Sequence, residues 1–185
     1  MRIIAGIAKG MPLVVPPGAD TRPTSDRVRE AVFSSLGERV VGVDVLDLFA
    51  GTGALGLETA SRGARAVTFV ETARTALQSL QRNIETFRKG RTISCDLSVV
   101  HDDVFVQLRK YASAGQKFSL IFADPPYGET AQTLLSDEHL AVVLAKDGLL
   151  VLESAKRDPL VPTSDWTAVR EAVYGDTKVS FFARA

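Results

Sequence analysis

Two short segments of the chain hold the side chains best suited to chemistry. In the first, Asp124-Pro125-Pro126-Tyr127-Gly128 follows the apolar run Phe118–Ala123 without a break. Two successive prolines cannot donate to a ladder or continue a helix, so a strand must stop here on stiff backbone. A carboxylate and a carbonyl on such a turn could accept both N–H bonds of an aromatic exocyclic amine. The amine lone pair, otherwise delocalised into the ring, would then become nucleophilic. Tyr127 offers a ring for stacking on an extruded base. Standing alone, the motif is a rigid surface turn. At the end of a strand in a cofactor-binding sheet, Asp124, Pro125, Pro126 and Tyr127 read as catalytic.

The second segment, Asp47-Leu48-Phe49-Ala50-Gly51-Thr52-Gly53-Ala54-Leu55-Gly56, contains G-x-G-x-x-G at Gly51, Gly53 and Gly56. Glu71 lies 20 residues after Gly51. Taken literally this is a dinucleotide fingerprint, with an acid for ribose hydroxyls, and an NAD-dependent dehydrogenase is a serious rival. Asp47 argues against it. A dinucleotide sets its pyrophosphate against the helix N-terminus, where a carboxylate just before the glycines would repel it. The same carboxylate suits a ligand with no phosphate and a cationic amino-acid part. S-adenosylmethionine is such a ligand, and it is the expected cofactor.

These segments need a sheet to position them. Short apolar runs at Val43–Phe49, Ala66–Val70, Leu97–His101, Phe118–Ala123 and Leu149–Glu153 read as buried strands. Between them lie helical patterns, clearest at Ala73, Ala76, Leu77, Leu80, Ile84 and Phe87. Strands alternating with amphipathic helices predict an α/β fold with a parallel sheet covered on both faces. Trp166–Tyr174 and Lys178–Ala183, around Gly175-Asp176-Thr177, predict a closing antiparallel hairpin and bring the strands to seven. In the order 3-2-1-4-5, strands one and four meet at the switch point, where ligands bind beyond the carboxyl ends. Asp47 and Asp124 would then sit side by side. Upstream, Ile3-Ile4 and Leu13-Val14-Val15 around Lys9-Gly10 predict a β-hairpin ended by Pro16-Pro17-Gly18. Val28, Ala31, Val32, Ser35 and Leu36 follow at helical spacing. Residues 1–37 are thus an expected extension, and residues 38–185 the cofactor-binding unit.

At 185 residues, 45% hydrophobic and 24% charged, the chain can bury its own core as a single compact unit. Lys plus Arg and Asp plus Glu both number 22, which excludes a uniformly basic nucleic-acid binder. Charge is uneven, however: residues 1–29 carry five basic side chains against two acidic ones, a net of +3. Those five, Arg2, Lys9, Arg22, Arg27 and Arg29, are either an RNA-phosphate surface or scattered solvated charge. Arg22 is the favoured contact because Pro23 stiffens the chain beside it. No apolar run approaches the ~18 residues of a spanning helix, so no membrane partner is expected. A single cysteine, Cys95, fits a reducing cytoplasm, and with two distant histidines no metal site is expected.

Asp47-x-Phe49-Ala50-Gly51-x-Gly53 with Asp124-Pro125-Pro126-Tyr127 resembles the class I S-adenosylmethionine-dependent amino-methyltransferases. A more specific set resembles the RsmD family of bacterial 16S ribosomal RNA guanine-N2 methyltransferases. It comprises Arg2-Ile3-Ile4-Ala5-Gly6, Lys9-Gly10, Arg22-Pro23-Thr24, Arg27-Val28-Arg29-Glu30, Phe33, Leu55-Gly56-Leu57-Glu58, Ser61-Arg62-Gly63-Ala64, Asn83 and Tyr174-Gly175-Asp176-Thr177. The resemblance spans nearly the whole chain. It implies a Rossmann-like fold, and a substrate guanine in 16S rRNA of the 30S subunit or an assembly intermediate. By position, Asp47, Phe49, Ala50, Gly51, Thr52 and Gly53 would hold the methionine end, Glu71 the ribose, and Asp103 with Val104 the adenine. Thr24 would approach the cofactor carboxylate, and Asp124 to Tyr127 would hold the guanine amine. Thr52 replaces a usual Ser. Ala73 stands where an acid commonly follows the ribose-binding Glu.

Other polar groups read more plainly. Asp102 is expected at a helix start and Asp103 on the cofactor side. His101 and His139 are ordinary strand-end or surface histidines, and Ser34-Ser35 has no His/Asp constellation to activate it. The expected protein is a monomeric, cytoplasmic methyltransferase. Its rivals are an amino-methyltransferase of DNA adenine or another RNA, the dehydrogenase, and a non-catalytic RNA-binding relative.

Overall fold

The computed structural model describes residues 1–16, 26–126 and 128–185. Arg22, Thr24 and Tyr127, expected in the site, lie outside the described residues. Seven strands form one sheet: β1 (Asp44–Leu48), β2 (Ala66–Glu71), β3 (Asp96–His101), β4 (Phe118–Ala123), β5 (Leu144–Ala155), β6 (Trp166–Tyr174) and β7 (Thr177–Arg184). Their order is β3-β2-β1-β4-β5-β7-β6. The first five strands are parallel, and β7 is antiparallel to both of its neighbours. The expected order and closing hairpin are both present. β5 starts earlier than its apolar run suggested, at Leu144 rather than Leu149.

Side-chain alternation along the strands divides the core into two layers. On one face Val45, Phe69, Phe122, Val151 and Phe181 pack against α1 (Asp26–Leu36), α2 (Ala54–Ser61) and α3 (Arg74–Arg88). On the other, Leu46, Leu48, Ile121 and Leu150 meet α4 (Val104–Ser113), α5 (Thr130–Leu135) and α6 (Glu138–Val143). The α3 stripe behaves as its spacing predicts, burying Leu77, Leu80, Ile84 and Phe87. Phe33 of α1 packs on Phe122 of β4 with ring centroids 5.7 Å apart.

The expected N-terminal hairpin is present, though short. Arg2 and Pro12 form an antiparallel bridge around a 3-10 turn at Gly6–Ala8, with Ile3 N donating to Met11 O at 2.9 Å, Gly10 N to Ile3 O at 2.9 Å and Leu13 N to Met1 O at 3.1 Å. Amides of the same segment that do not pair across the hairpin are held by α2. The Glu58 carboxylate, fully buried, accepts from Ile4 N at 2.6 Å and Ala5 N at 3.0 Å, and from Arg62 Nε at 2.7 Å. Ser61 Oγ donates to Ala5 O at 2.5 Å and accepts from Ala8 N at 2.9 Å. At Gly6 a Cβ would stand 1.8 Å from the Ser61 carbonyl oxygen, so the two backbones touch. Further along, Asn83 of α3 accepts from Val14 N and donates to the carbonyls of Val14 and Thr52. One side chain thus ties the N-terminal segment to the glycine turn.

Glu58→Ala is expected to destabilise the protein by about 3 kcal/mol. It strands two backbone N–H groups at about 1–3 kcal/mol each and removes the buried partner of Arg62. Urea unfolding would read the loss. Glu58→Gln, which can still accept, should cost clearly less.

Candidate active site

The β1 register sets Leu48 between Val70 and Ala123, and Ala123 stands opposite Leu152 of β5. One residue further, Glu71, Phe49, Asp124 and Glu153 come abreast at the carboxyl edge of four neighbouring strands. Phe49 has φ +56°, the one positive value for a non-glycine among the described residues. Such a conformation costs of order 1–3 kcal/mol and turns the chain sharply out of the sheet. Ala50 N then donates to Val70 O at 3.1 Å, and Gly53 N to Ala50 O at 2.7 Å, which closes the turn.

Two of the glycines are needed for close packing. Gly53, at φ +78°, precedes α2, and a Cβ there would stand 2.3 Å from Leu80 Cδ1. At Gly56 a Cβ would stand 2.3 Å from Phe69 Cε1 and 2.9 Å from Asp47 Oδ2, so α2 can lie on β1 and β2 only with glycine there. Gly51 differs: its nearest neighbour would be Phe49 O at 3.9 Å, which leaves that side of the turn open for a ligand.

Asp47 is 2% exposed, and its Oδ2 accepts from Gly56 N at 2.9 Å. Burial holds its carboxyl well above the usual carboxylate range; the Gly56 N–H opposes this, and the Asp124 and Glu71 carboxylates add to it. The expected neighbourhood of Asp47 and Asp124 is therefore present, with Glu71 as a third member. Glu71 and Asp124, joined by Asp47 when it ionises, would repel a pyrophosphate and attract a cation, so these side chains fit S-adenosylmethionine and oppose NAD.

Glu71 also braces the turn. Its Oε2 accepts from Gly51 N at 2.8 Å, and its Oε1 from Thr72 N and Ala73 N at 2.8 and 2.7 Å. A carboxylate has about four lone-pair sites, so one remains on Oε2 for a ribose hydroxyl. Beyond β3, the helix start falls on Asp103 rather than on Asp102. Asp103 caps α4, its Oδ1 accepting from Phe105 N and Val106 N. Asp102, expected at the helix start, instead accepts from Asp103 N and pairs with Lys110. The extended Asp103 backbone, φ −68° and ψ 138°, is what an N-cap requires. The side chain of Val104, the first residue of α4, is buried in the core.

Just beyond β4, Asp124 is half-buried, Pro125 buried and Pro126 exposed. Further along, Gly128 N donates to Asp158 Oδ2 at 3.2 Å. Sequence reasoning missed Glu153, a buried carboxylate one residue past the Leu152–Ala123 pair. Its signal was an acid closing the apolar run Leu149–Leu152.

Of the five basic side chains, Arg2, Lys9 and Arg27 reach the surface. Arg29 does not, and this corrects its place in the RNA-facing set. It is fully buried, donating through Nη2 to Asp26 Oδ1 at 2.7 Å and to Arg2 O at 2.6 Å. The helical period puts position 29 beside Val28, Val32 and Phe33 on the packed face of α1.

A doubly wound sheet with an antiparallel β7, a glycine turn after β1 and an acid closing β2 defines the Rossmann-like class I methyltransferase fold. The chain belongs to the family described as conserved hypothetical protein 95, the RsmD family, which matches residues 1–183. Ribosomal RNA small subunit methyltransferase D of Escherichia coli (strain K12) is 36% identical over 190 residues, covering 100% of this chain and 90% of that one. The protein of the same name in Haemophilus influenzae is 33% identical over 179 residues, covering 95% and 89%. The solved structure of the Escherichia coli protein yhhF superimposes with a TM-score of 0.80 at 34% identity, covering 100% of this chain and 97% of that one.

Proposed function

We propose that this protein transfers a methyl group from S-adenosylmethionine to the exocyclic N2 amine of one guanine in 16S rRNA, within the 30S subunit or an assembly intermediate. The observation that carries the proposal is the register that sets Asp124 abreast of the glycine turn and Glu71. The small-subunit rRNA methyltransferases that share the fold along nearly the whole chain supply the substrate class.

Asp47, Phe49, Ala50, Gly51, Thr52 and Gly53 would hold the methionine end of the cofactor, Glu71 its ribose, and Asp103 its adenine amine. S-adenosylmethionine, when bound, supplies an electrophilic methyl group on a sulfonium. The Asp124 carboxylate and the Pro125 carbonyl accept the two N–H bonds of the guanine amine. That withdraws the lone pair from the ring and aims it across the switch point. Once the amine carries its new carbon, its surplus proton passes to Asp124 Oδ. Pro125 and Pro126 keep both acceptors in place because their φ angles are fixed. Tyr127 stacks on the extruded base, and Thr24 meets the cofactor carboxylate. Arg2, Lys9, Arg22 and Arg27 contact RNA phosphates. Among the described residues no helix is long and apolar enough to cross a membrane.

Labelled S-adenosylmethionine offered with 30S particles from cells lacking the enzyme tests the proposal. Naked 16S rRNA, duplex DNA and free protein serve as parallel acceptors. Label on 30S RNA that digests to N2-methylguanosine is expected. Label on DNA or protein alone would overturn the substrate, and no label despite bound cofactor would overturn catalysis.

A further inference from the structure

Two strands beyond β5, a cavity of about 300 Å³ opens between the start of α1 and the β6–β7 turn. Arg27, Val28, Val173, Tyr174 and Gly175 line it. Its place in the sheet follows from strand direction. β7 runs antiparallel to β5, and β6 antiparallel to β7, so β6 runs with β5. Tyr174, the last residue of β6, therefore ends at the same edge as Asp124.

The cavity wall is also tied to the Asp124 loop through one residue. Gly128 N donates to Asp158 Oδ2, Lys178 Nζ donates to Asp158 O at 2.8 Å, and Lys178 stands opposite Val173 in the register. Asp158 thus contacts both Gly128 and the strand that pairs with the cavity wall.

The lining combines three kinds of surface. Tyr174 packs against the core and remains half-buried. Val28 gives a buried apolar wall, with Val173 exposed beside it, and Arg27 is an exposed cation. An aromatic ring, an apolar wall and a guanidinium suit a nucleotide, the base on the ring and the phosphate on the cation. The volume lies at the lower end of the ~300–1,000 Å³ of small-ligand pockets. Extruding one base unstacks its neighbours, which then need a surface of their own.

We propose that this cavity is a subsite for a nucleotide flanking the target guanine, its base stacked on Tyr174 and its phosphate met by Arg27. The subsite rests on rRNA being the substrate.

Steady-state methylation of 30S particles lacking the modification tests it, alongside titration of S-adenosylmethionine. Tyr174→Ala is expected to raise KM for the particle about tenfold. The rate at saturating particle and the cofactor Kd should be unchanged. Tyr174→Phe, which keeps the ring, should match the wild type. Arg27→Ala should weaken particle binding and make it less salt-dependent, by about one unit of the log–log slope. Val173→Glu, an exposed substitution that sets a like charge against the phosphate, decides the matter should Tyr174→Ala fail to fold. An unchanged KM in Val173→Glu or in folded Tyr174→Ala would overturn the subsite alone, as would a Tyr174→Phe defect equal to that of alanine. No methylation of the particle by the wild type would overturn the function and the subsite with it.

Discussion

Asp124→Asn should bind S-adenosylmethionine nearly as well as the wild type and methylate 30S particles at least about a hundredfold more slowly. The expected loss follows from the role proposed for the carboxylate. The guanine amine is a weak nucleophile until both its N–H bonds point at acceptors. An amide at position 124 keeps one acceptor oxygen but cannot take a proton as readily, and it can turn its NH2 toward the substrate. Groups that polarise or deprotonate a reacting atom are worth about 10²–10⁴ in rate. Position 124 follows β4, across the switch point from the glycine turn and Glu71, which belong to β1 and β2. Single-turnover methyl transfer and calorimetric titration of the cofactor separate the two effects. A rate within a few-fold of wild type in Asp124→Asn, or any appreciable methylation by Asp124→Ala, would remove Asp124 from the chemistry.

The parts of this architecture legible in the sequence are those governed by local pattern. Phe118–Ala123 reads as a buried strand because every residue is apolar or small and prolines stop it, and β4 has those bounds. The glycine turn is legible because its spacing reflects close packing, as the collisions at Gly53 and Gly56 show. What escaped depends on tertiary partners. The N-terminal hairpin was legible, but nothing in its sequence says that the amides of Ile4 and Ala5 will be claimed by Glu58, or that of Ala8 by Ser61, more than 50 residues away. Arg29 reads as a surface cation until α1 is placed, because charge alone does not reveal which helix face is covered. Asp102 and Asp103 are indistinguishable by type, and only the backbone conformation selects the cap. Glu153 gains its place beside Asp124 from the pairing of β4 with β5, which no single segment encodes.

Asp47→Asn should separate stability from ligand binding. Burial already disfavours the Asp47 carboxylate, and the asparagine carbonyl can still accept from Gly56 N. The variant is therefore expected to be at least as stable as the wild type at neutral pH. The sign follows from linkage. The folded-state pKa of Asp47 is raised, so the folded protein holds that proton more tightly than the unfolded chain does. The stability this contributes is complete below the ordinary aspartate pKa and is lost as pH rises through the folded-state value. Asparagine does not titrate, so its advantage should grow across that window and then level off. Cofactor binding should move the opposite way. The ligand's cationic amine favours the ionised carboxylate, so wild-type affinity should rise with pH across the same window while the variant's stays flat. Where the wild-type carboxylate is ionised, removing one partner of a buried charge pair costs about 2–5 kcal/mol, a Kd about 30-fold weaker or more. Urea unfolding and cofactor titration at several pH values, below that at which the ligand's own amine titrates, provide the check. Unchanged affinity in Asp47→Asn would confine Asp47 to bracing Gly56 and leave Glu71 and Asp124 to attract the cation. A stable protein that binds weakly would mean that the buried charge is kept for the ligand, at a cost to the fold.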